Sequence, residues 1–375
     1  MVKFLHTADW QLGMTRYFFS EGTQEKYNQA RFDAIRAMGR IAKEEGCSFM
    51  LVCGDAFESN QVDRKTVMRA LEAIKDVPVP VFMLPGNHDP LNAASVYRSS
   101  SFEKKPANLQ IIETSTPINI RGEVEIIGAP WVSKKPAYNP LEELLAMLEP
   151  AACVTRIIAA HGIVDQFTPD RDAPGVMAVE MLDQAIADRK ADFIALGDRH
   201  SLTEVGNSGR IWYSGTPEAT DYSEIRSGCA NIVEIDGKNI STRAVAVGTW
   251  QFIDKGRFDL NTADEAESLQ AFLNGIENKE RTVLCISCVG SISLSLWERL
   301  QEDFNTATDL LAVLDIREDD LMVVPDDSDF KDLGFSGFAD AAVKRLREQV
   351  AGGGENSSVS RDALMLLMRL AGGNA

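Results

Sequence analysis

Short apolar runs that stop abruptly at polar residues recur along this chain. Residues 80–85 are all apolar or Pro and end in Gly86-Asn87-His88-Asp89. Phe4-Leu5 leads into His6-Thr7-Ala8-Asp9-Trp10-Gln11, and residues 49–53 lead into Gly54-Asp55. Residues 156–160 lead into His161-Gly162, and 192–196 into Gly197-Asp198-Arg199-His200. Each run has the length and composition of a buried strand. Two stretches between the first three runs have helical spacing instead. Residues 24–45 place Phe32, Ile35, Met38 and Ile41 on one stripe, and residues 62–75 do the same with Val67, Leu71 and Ile74. The order strand-helix-strand-helix-strand predicts a parallel sheet with right-handed crossovers.

The pattern weakens but continues. Short strands are predicted near 109–112, 116–120 and 124–129, and helices over 141–148 and 176–187. Two hairpins are predicted, across Ser208-Gly209 and across Asp236-Gly237. These elements define a first domain over 1–248. After Trp250 a helix (263–276), a strand (281–289), a helix (294–304) and two strands (309–316 and 321–324) predict a small α/β domain over 251–325. A third region, 337–375, carries an amphipathic helix (338–350) with Lys344, Arg345 and Arg347. A Gly/Ser break follows, then a Met/Leu-rich helix (361–370). So short a helix cannot bury its apolar face alone: it either folds back on the chain or, as Met-rich faces favour, docks on a partner protein.

Charge narrows the function. The net charge of −18 counts against broad electrostatic binding of nucleic acid. Affinity for phosphate must come from a local site, such as carboxylates holding divalent cations. No apolar stretch approaches the ~20 residues of a membrane helix. The six cysteines show no framework spacing and fit reduced thiols in a cytoplasm. Cys285 and Cys288 lie within one apolar run and read as core thiols.

All four histidines, His6, His88, His161 and His200, lie at or just past the ends of apolar runs. In open α/β sheets, ligands bind at the carboxyl ends of strands. Asp9, Gln11, Asp55, Asn87, His161, Asp198 and His200 are therefore candidate metal ligands. Oxygen with imidazole suits Mn²⁺, Fe²⁺ or Mg²⁺. Asp55 is placed to bridge two ions, and such a pair activates water for phosphoryl transfer. His88 is the candidate proton donor to the leaving oxygen, with Asp89 orienting it. His6 is expected to face the core.

In order and spacing, Asp9-x-Gln11, Gly54-Asp55, Gly86-Asn87-His88-Asp89, His161 and Gly197-Asp198-x-His200 resemble the five motifs of the calcineurin-like metallophosphoesterases. The resemblance covers about residues 1–245. It implies a β-sandwich core flanked by helices, here with a small α/β cap and C-terminal helices. Within the family, His6-Thr7-Ala8-Asp9-Trp10-Gln11-Leu12-Gly13 and Gly54-Asp55-Ala56-Phe57-Glu58 look most like the SbcD-type DNA repair exonuclease subunits. That likeness implies a cytoplasmic, manganese-dependent DNA nuclease acting in double-strand-break repair. It further implies docking of the C-terminal helices on an SbcC-type ATPase, and homodimerisation. By this resemblance Asp9, Gln11, Asp55 and His200 would hold metal one, and Asp55, Asn87, His161 and Asp198 metal two.

Two positions depart from the family pattern: Gln11 and Asp198 both stand where it has His. Gln11 is a weaker donor than imidazole and Asp198 a harder one, so Mn²⁺ or Mg²⁺ gains over zinc. Two alternatives stay open. One is a phosphodiesterase for a smaller nucleotide, which the acidic composition favours. The other is a non-catalytic scaffold that has lost one metal, which Gln11 and Asp198 motivate.

Overall fold

The computed structural model describes residues 1–151, 154–171, 173, 175–323, 337–352, 359, 360, 362–364, 366 and 367. Residues 325–329, which the sequence reads as a linker, and half of the predicted helix 361–370 lie outside these. The chain divides into two compact units, Met1–Phe252 and Ile253–Ala375.

The first unit begins with the predicted alternation. Strand β1 (Val2–Thr7) is followed by α1 (Glu21–Glu44), β2 (Met50–Cys53), α2 (Arg64–Lys75) and β3 (Val81–Leu84). β1, β2 and β3 pair in parallel. Next come β4 (Leu109–Ile111), β5 (Ile118–Ile120), β6 (Val124–Gly128), α3 (Pro140–Met147) and β7 (Thr155–His161). Then follow α4 (Val179–Ala187), β8 (Phe193–Gly197), β9 (Thr203–Glu204), β10 (Ile211–Tyr213), β11 (Cys229–Asp236) and β12 (Asn239–Ala246). One six-stranded sheet has the order β12-β11-β1-β2-β3-β4, and a second the order β5-β6-β7-β8-β10-β9.

The two sheets form a sandwich because their inner faces are apolar. On β2 and β3 every residue is buried. Leu51, Cys53, Phe82 and Leu84 enter a core shared with Ile157, Ala159, Phe193 and Ala195 of the other sheet. Their neighbours Met50, Val52, Val81 and Met83 pack outward against Ile35 and Met38 of α1 and Ala70 and Ile74 of α2. A third cluster joins α3 and α4 to the outer face of the second sheet. Alternation along a strand thus feeds two cores at once. His6 shares the inner face with Phe4. Its Nε2 donates to Leu196 O at 3.1 Å, and burial lowers its pKa to about 3, so it is a neutral core residue.

The second unit holds most of β13 (Gln251–Asp259), then α5 (Ala263–Gly275), β14 (Thr282–Ile292), α6 (Leu294–Leu310), β15 (Val313–Val323) and α7 (Phe338–Ala351). Its sheet order is β13-β14-β15, with β14 and β15 parallel. Two expectations are corrected here. The two strands predicted over 309–316 and 321–324 are the single strand β15, and β13 has no counterpart among the predicted strands. Cys288 lies in the core, and Cys285 donates to Asp315 Oδ2 at 3.5 Å. No helix among the described residues is long and apolar enough to cross a membrane.

Candidate metal centre

The predicted ligands lie at the carboxyl ends of strands from both sheets. Asp9, Asp55 and Asn87 follow β1, β2 and β3. His161 ends β7, and Asp198 and His200 follow β8. A chain that must turn away at once after a strand adopts unusual backbone geometry. Asp9 (φ 54°), Gln11 (φ 45°), Asp55 (φ 52°) and Asp198 (φ 100°) all have positive φ. Such values in residues other than glycine are disfavoured and concentrate at functional sites. Two motif glycines are required by close approach. A Cβ on Gly54 would lie 2.1 Å from His161 Nδ1, and one on Gly86 would lie 2.2 Å from Asp55 Oδ1.

Asp9, Asp55 and His161 each direct one ligand atom into a common space, all within 4.8 Å of one another. His161 Nδ1 donates to Cys53 O at 2.8 Å, which turns Nε2 toward the gap. Around that nitrogen stand Asp55 Oδ1 at 3.4 Å, Asp198 Oδ1 at 3.7 Å and the Asn87 amide at 2.9 Å. The Asn87 amide oxygen faces acceptors only. Turned over, its nitrogen would donate to His161 Nε2 at 2.9 Å and to Asp55 at 3.2 Å. Asp198 N donates to both Asp9 oxygens at 3.1 and 3.0 Å, tying the two sheets together at the site. His200 Nε2 lies 3.0 Å from Gln11 Nε2, and its charge acts on Asp9 and Asp198.

The electrostatics call for positive charge. Burial pushes Asp9 up to about 7 and raises Asp198 as well, while His161 pulls both the other way. Burial also works to raise Asp55, but His161 beside it brings that carboxyl below its ordinary range. Against its burial, the same carboxylates raise the pKa of His161, and crowded buried carboxylates around an imidazole fit a divalent cation. Gln11 Oε1, buried and without a hydrogen-bond partner, adds a further unsatisfied acceptor.

His88 and Asp89 do not form the predicted pair. His88 N donates to Asp55 Oδ1 at 2.9 Å, and its half-buried ring is held by Nδ1 donating to Glu58 O at 3.0 Å. Asp89 is fully buried and accepts from Gly86 N at 2.7 Å, Phe57 N at 3.0 Å and Tyr97 Oη at 2.6 Å. It braces the loops that carry Asp55 and Asn87, and Glu58 orients His88 in its place.

Sequence reasoning missed several supporting residues. Glu224 Oε1 lies 2.9 Å from His200 Nδ1, with Thr220 Oγ1 at 2.8 Å. Trp131 Nε1 donates to His161 O at 2.7 Å. Buried Arg31 donates to the carbonyls of Trp10 and Gln11 at 2.5 and 3.4 Å. None sits in a strand-end motif, so no local pattern marks them. Trp10 is buried and donates to Thr7 Oγ1 at 3.0 Å, a packing role. Arg199 stacks 4.0 Å over the Phe167 ring.

Among known proteins, the DNA double-strand break repair protein Mre11 of Methanosarcina acetivorans is 27% identical over 262 residues, 67% of this chain and 40% of that protein. Mre11 of Saccharolobus solfataricus is 25% identical over 231 residues, 60% of this chain and 57% of that protein. The SbcD component of the nuclease SbcCD from Staphylococcus epidermidis is 23% identical over 246 residues, 60% of this chain and 63% of that protein. The chain thus spans less than two thirds of the length of each. The family profile described as calcineurin-like phosphoesterase matches residues 2–228, more than half of the chain. That stretch contains every strand end just described, and the chain belongs to the calcineurin-like phosphoesterase family.

Proposed function

We propose that this chain is a metal-dependent phosphodiesterase that cleaves DNA and serves as the nuclease component of a double-strand-break repair assembly. The observation that carries the reading is the convergence of Asp9, Asp55 and His161 within 4.8 Å at the strand ends of two packed sheets. Asp9, Gln11, Asp55, Asn87, His161, Asp198 and His200 would hold divalent ions. Bound there, such ions supply a water of lowered pKa and charge stabilisation for the attacking and leaving oxygens. The protein's own part is positional. His161 is held in the tautomer that presents Nε2 by its bond to Cys53 O. Asp55 is fixed on the opposite side, where Oδ1 accepts from His88 N. The His88 ring is held by its Nδ1–H on Glu58 O, and as the doubly protonated imidazolium it would give its Nε2 proton to the leaving oxygen.

The repair role rests on the relatives, whose names are those of a double-strand break repair protein and of one component of a nuclease. Manganese is the favoured ion because oxygen donors outnumber imidazoles. Helix α7 and the Met/Leu-rich segment after it are the proposed docking face for an SbcC-type ATPase. A homodimer and a cytoplasmic location follow from the same likeness. The net charge of −18 favours a second reading, a phosphodiesterase for small nucleotides.

The test is a Mn²⁺ titration against linear double-stranded DNA, single-stranded DNA and bis-p-nitrophenyl phosphate. Cleavage of DNA that EDTA abolishes is the expected result, and hydrolysis of the small ester alone supports the second reading. His88→Ala is expected to slow DNA cleavage by about 10²–10⁴-fold while Mn²⁺ binding, followed by calorimetry, persists. Undiminished cleavage by that variant would remove His88 from the chemistry.

A further inference from the structure

We propose that Tyr17, backed by Phe18, is a stacking platform for an unpaired base of the nucleic-acid strand whose phosphodiester lies at the metal centre. The inference rests on the nuclease reading above and adds a base-binding subsite to it.

The argument begins with exposure. Tyr17, Phe18 and Phe19 are consecutive, and Tyr17 is 99% exposed. A single exposed aromatic is ordinary, but this one tops a fixed ladder of rings. Tyr17 meets Phe18 edge to face with ring centres 5.2 Å apart, and Phe18 meets Phe19 at 5.1 Å. Phe19 packs on the buried Tyr27 at 5.1 Å and on buried Trp250 at 5.5 Å. The backbone is held as well. Arg16 N donates to Gln24 Oε1 at 2.8 Å, Gln24 Nε2 to Met14 O at 3.0 Å, and Phe19 N to Arg16 O at 3.1 Å. A ring presented on such a support loses little freedom when a flat partner covers it.

The ladder stands at the rim of the metal centre. It lies on the segment between β1 and α1 that also carries Asp9 and Gln11. Arg16 Nη2 donates to Thr220 O, and Thr220 Oγ1 lies 2.8 Å from His200 Nδ1. The loop so joined brings a second exposed apolar side chain. Ile225 is 84% exposed, and its N donates to the Ser201 hydroxyl at 3.1 Å, one residue from His200.

Charge selects the occupant. Holding a nucleic acid by its phosphates takes Lys and Arg, and the chain carries a net charge of −18. Duplex DNA has one charge per about 1.7 Å of its axis, twice the density of one strand, so an acidic chain repels it more. Stacking on aromatic side chains instead engages the faces of the bases and draws on no phosphate contact. Within a duplex those faces are covered by neighbouring pairs, whereas an unpaired base offers them. A supported aromatic at the edge of a phosphodiester site on an acidic chain therefore fits a base of an unpaired strand.

The test uses the full chain, Mn²⁺ and a single-stranded oligonucleotide in which one abasic site is moved along the sequence. In the wild type, one abasic position is expected to raise KM about tenfold. Tyr17→Ala should raise the KM of the intact strand by a similar factor with kcat little changed, and Tyr17→Phe should restore it. In Tyr17→Ala the abasic site at that position should cost nothing further, the coupling expected of two groups in contact. Additive losses, or an intact-strand KM unchanged in Tyr17→Ala, overturn the proposal; the second result leaves the exposed rings to a protein contact. A readout apart from turnover is photocrosslinking of a strand carrying 5-iodouracil at the sensitive position. The crosslink is expected on the peptide holding Tyr17, and a crosslink confined to other peptides also overturns the proposal. If the wild type hydrolyses bis-p-nitrophenyl phosphate and cleaves no nucleic acid, the nuclease reading itself fails and the subsite with it, a distinguishable result.

Discussion

Arg31 shows how single residues outside the motifs hold the centre. It is a charged side chain at 2% exposure whose two terminal nitrogens each have defined partners. Nη1 bonds the carbonyls of Trp10 and Gln11, and Nη2 bonds Tyr27 Oη at 2.7 Å and lies 3.4 Å from Met14 Sδ. The carbonyls it satisfies belong to the backbone that turns through positive φ at Asp9 and Gln11. Removing the guanidinium leaves buried acceptors unpaired at about 1–3 kcal/mol each. Arg31→Met is expected to destabilise the protein by about 3 kcal/mol in urea denaturation. Arg31→Lys should recover only part, because one ammonium cannot span the same fork. A loss under about 1 kcal/mol would mean that water reaches those carbonyls. Residues of this kind were illegible in the sequence, since Arg31 reads as one more polar position on a helix. Asp89 is the converse case. Its motif placed it correctly near the site, but only the fold shows its oxygens bound to backbone and to Tyr97 rather than to His88.

Elements were legible where burial is strong and periodic. β2 and β3 are buried on both faces and appear in the sequence as unbroken apolar runs, and α1 and α2 carry clean stripes. β13 was missed because residues such as Asp254, Lys255 and Arg257 break its pattern, and no residue of the strand is fully buried. β15 was split in two because Arg317 to Asp320 are all charged and exposed, although the backbone pairs with β14 on both sides of them. A sheet ladder tolerates polar side chains on an open face, so charge alone does not end a strand. Helix ends obey a more local rule, and α2 offers a test. Asp63 caps it by accepting from Thr66 N at 3.0 Å and Thr66 Oγ1 at 2.6 Å. The Thr66 hydroxyl first, against a smaller effect of burial, holds the Asp63 carboxyl below the usual range. A depressed carboxyl contributes stability above its unfolded pKa of about 3.9. That contribution is lost as pH falls through the lower folded value. Asp63→Ala is therefore expected to cost about 1 kcal/mol at pH 7. The gap between variant and wild type should shrink below pH 4. A gap that is constant from pH 7 to pH 2.5 would show that the carboxylate charge plays no part in the cap.

At the scale of the whole molecule, the candidate site exists only where two sheets meet. Asp9, Asp55 and Asn87 come from one sheet and His161 and Asp198 from the other, so an ion held between them binds the folded sandwich and not the unfolded chain. Binding to the native state alone adds RT ln(1 + [L]/Kd), about 2.7 kcal/mol at 100 times Kd. For a unit of some 250 residues this corresponds to an upward shift of roughly 5–10 °C in melting temperature. The second compact unit, Ile253–Ala375, contributes none of these ligands. Scanning calorimetry of the full chain is therefore expected to show two transitions, of which saturating Mn²⁺ raises only the one belonging to Met1–Phe252 and EDTA reverses the rise. Asp55→Asn, which removes the carboxylate standing closest to His161 Nε2, should abolish the shift while leaving the other transition in place. If Mn²⁺ moved both transitions equally in the wild type and in Asp55→Asn, the ion would be acting through non-specific contacts with an acidic surface, and the strand-end residues would no longer be the place where it binds.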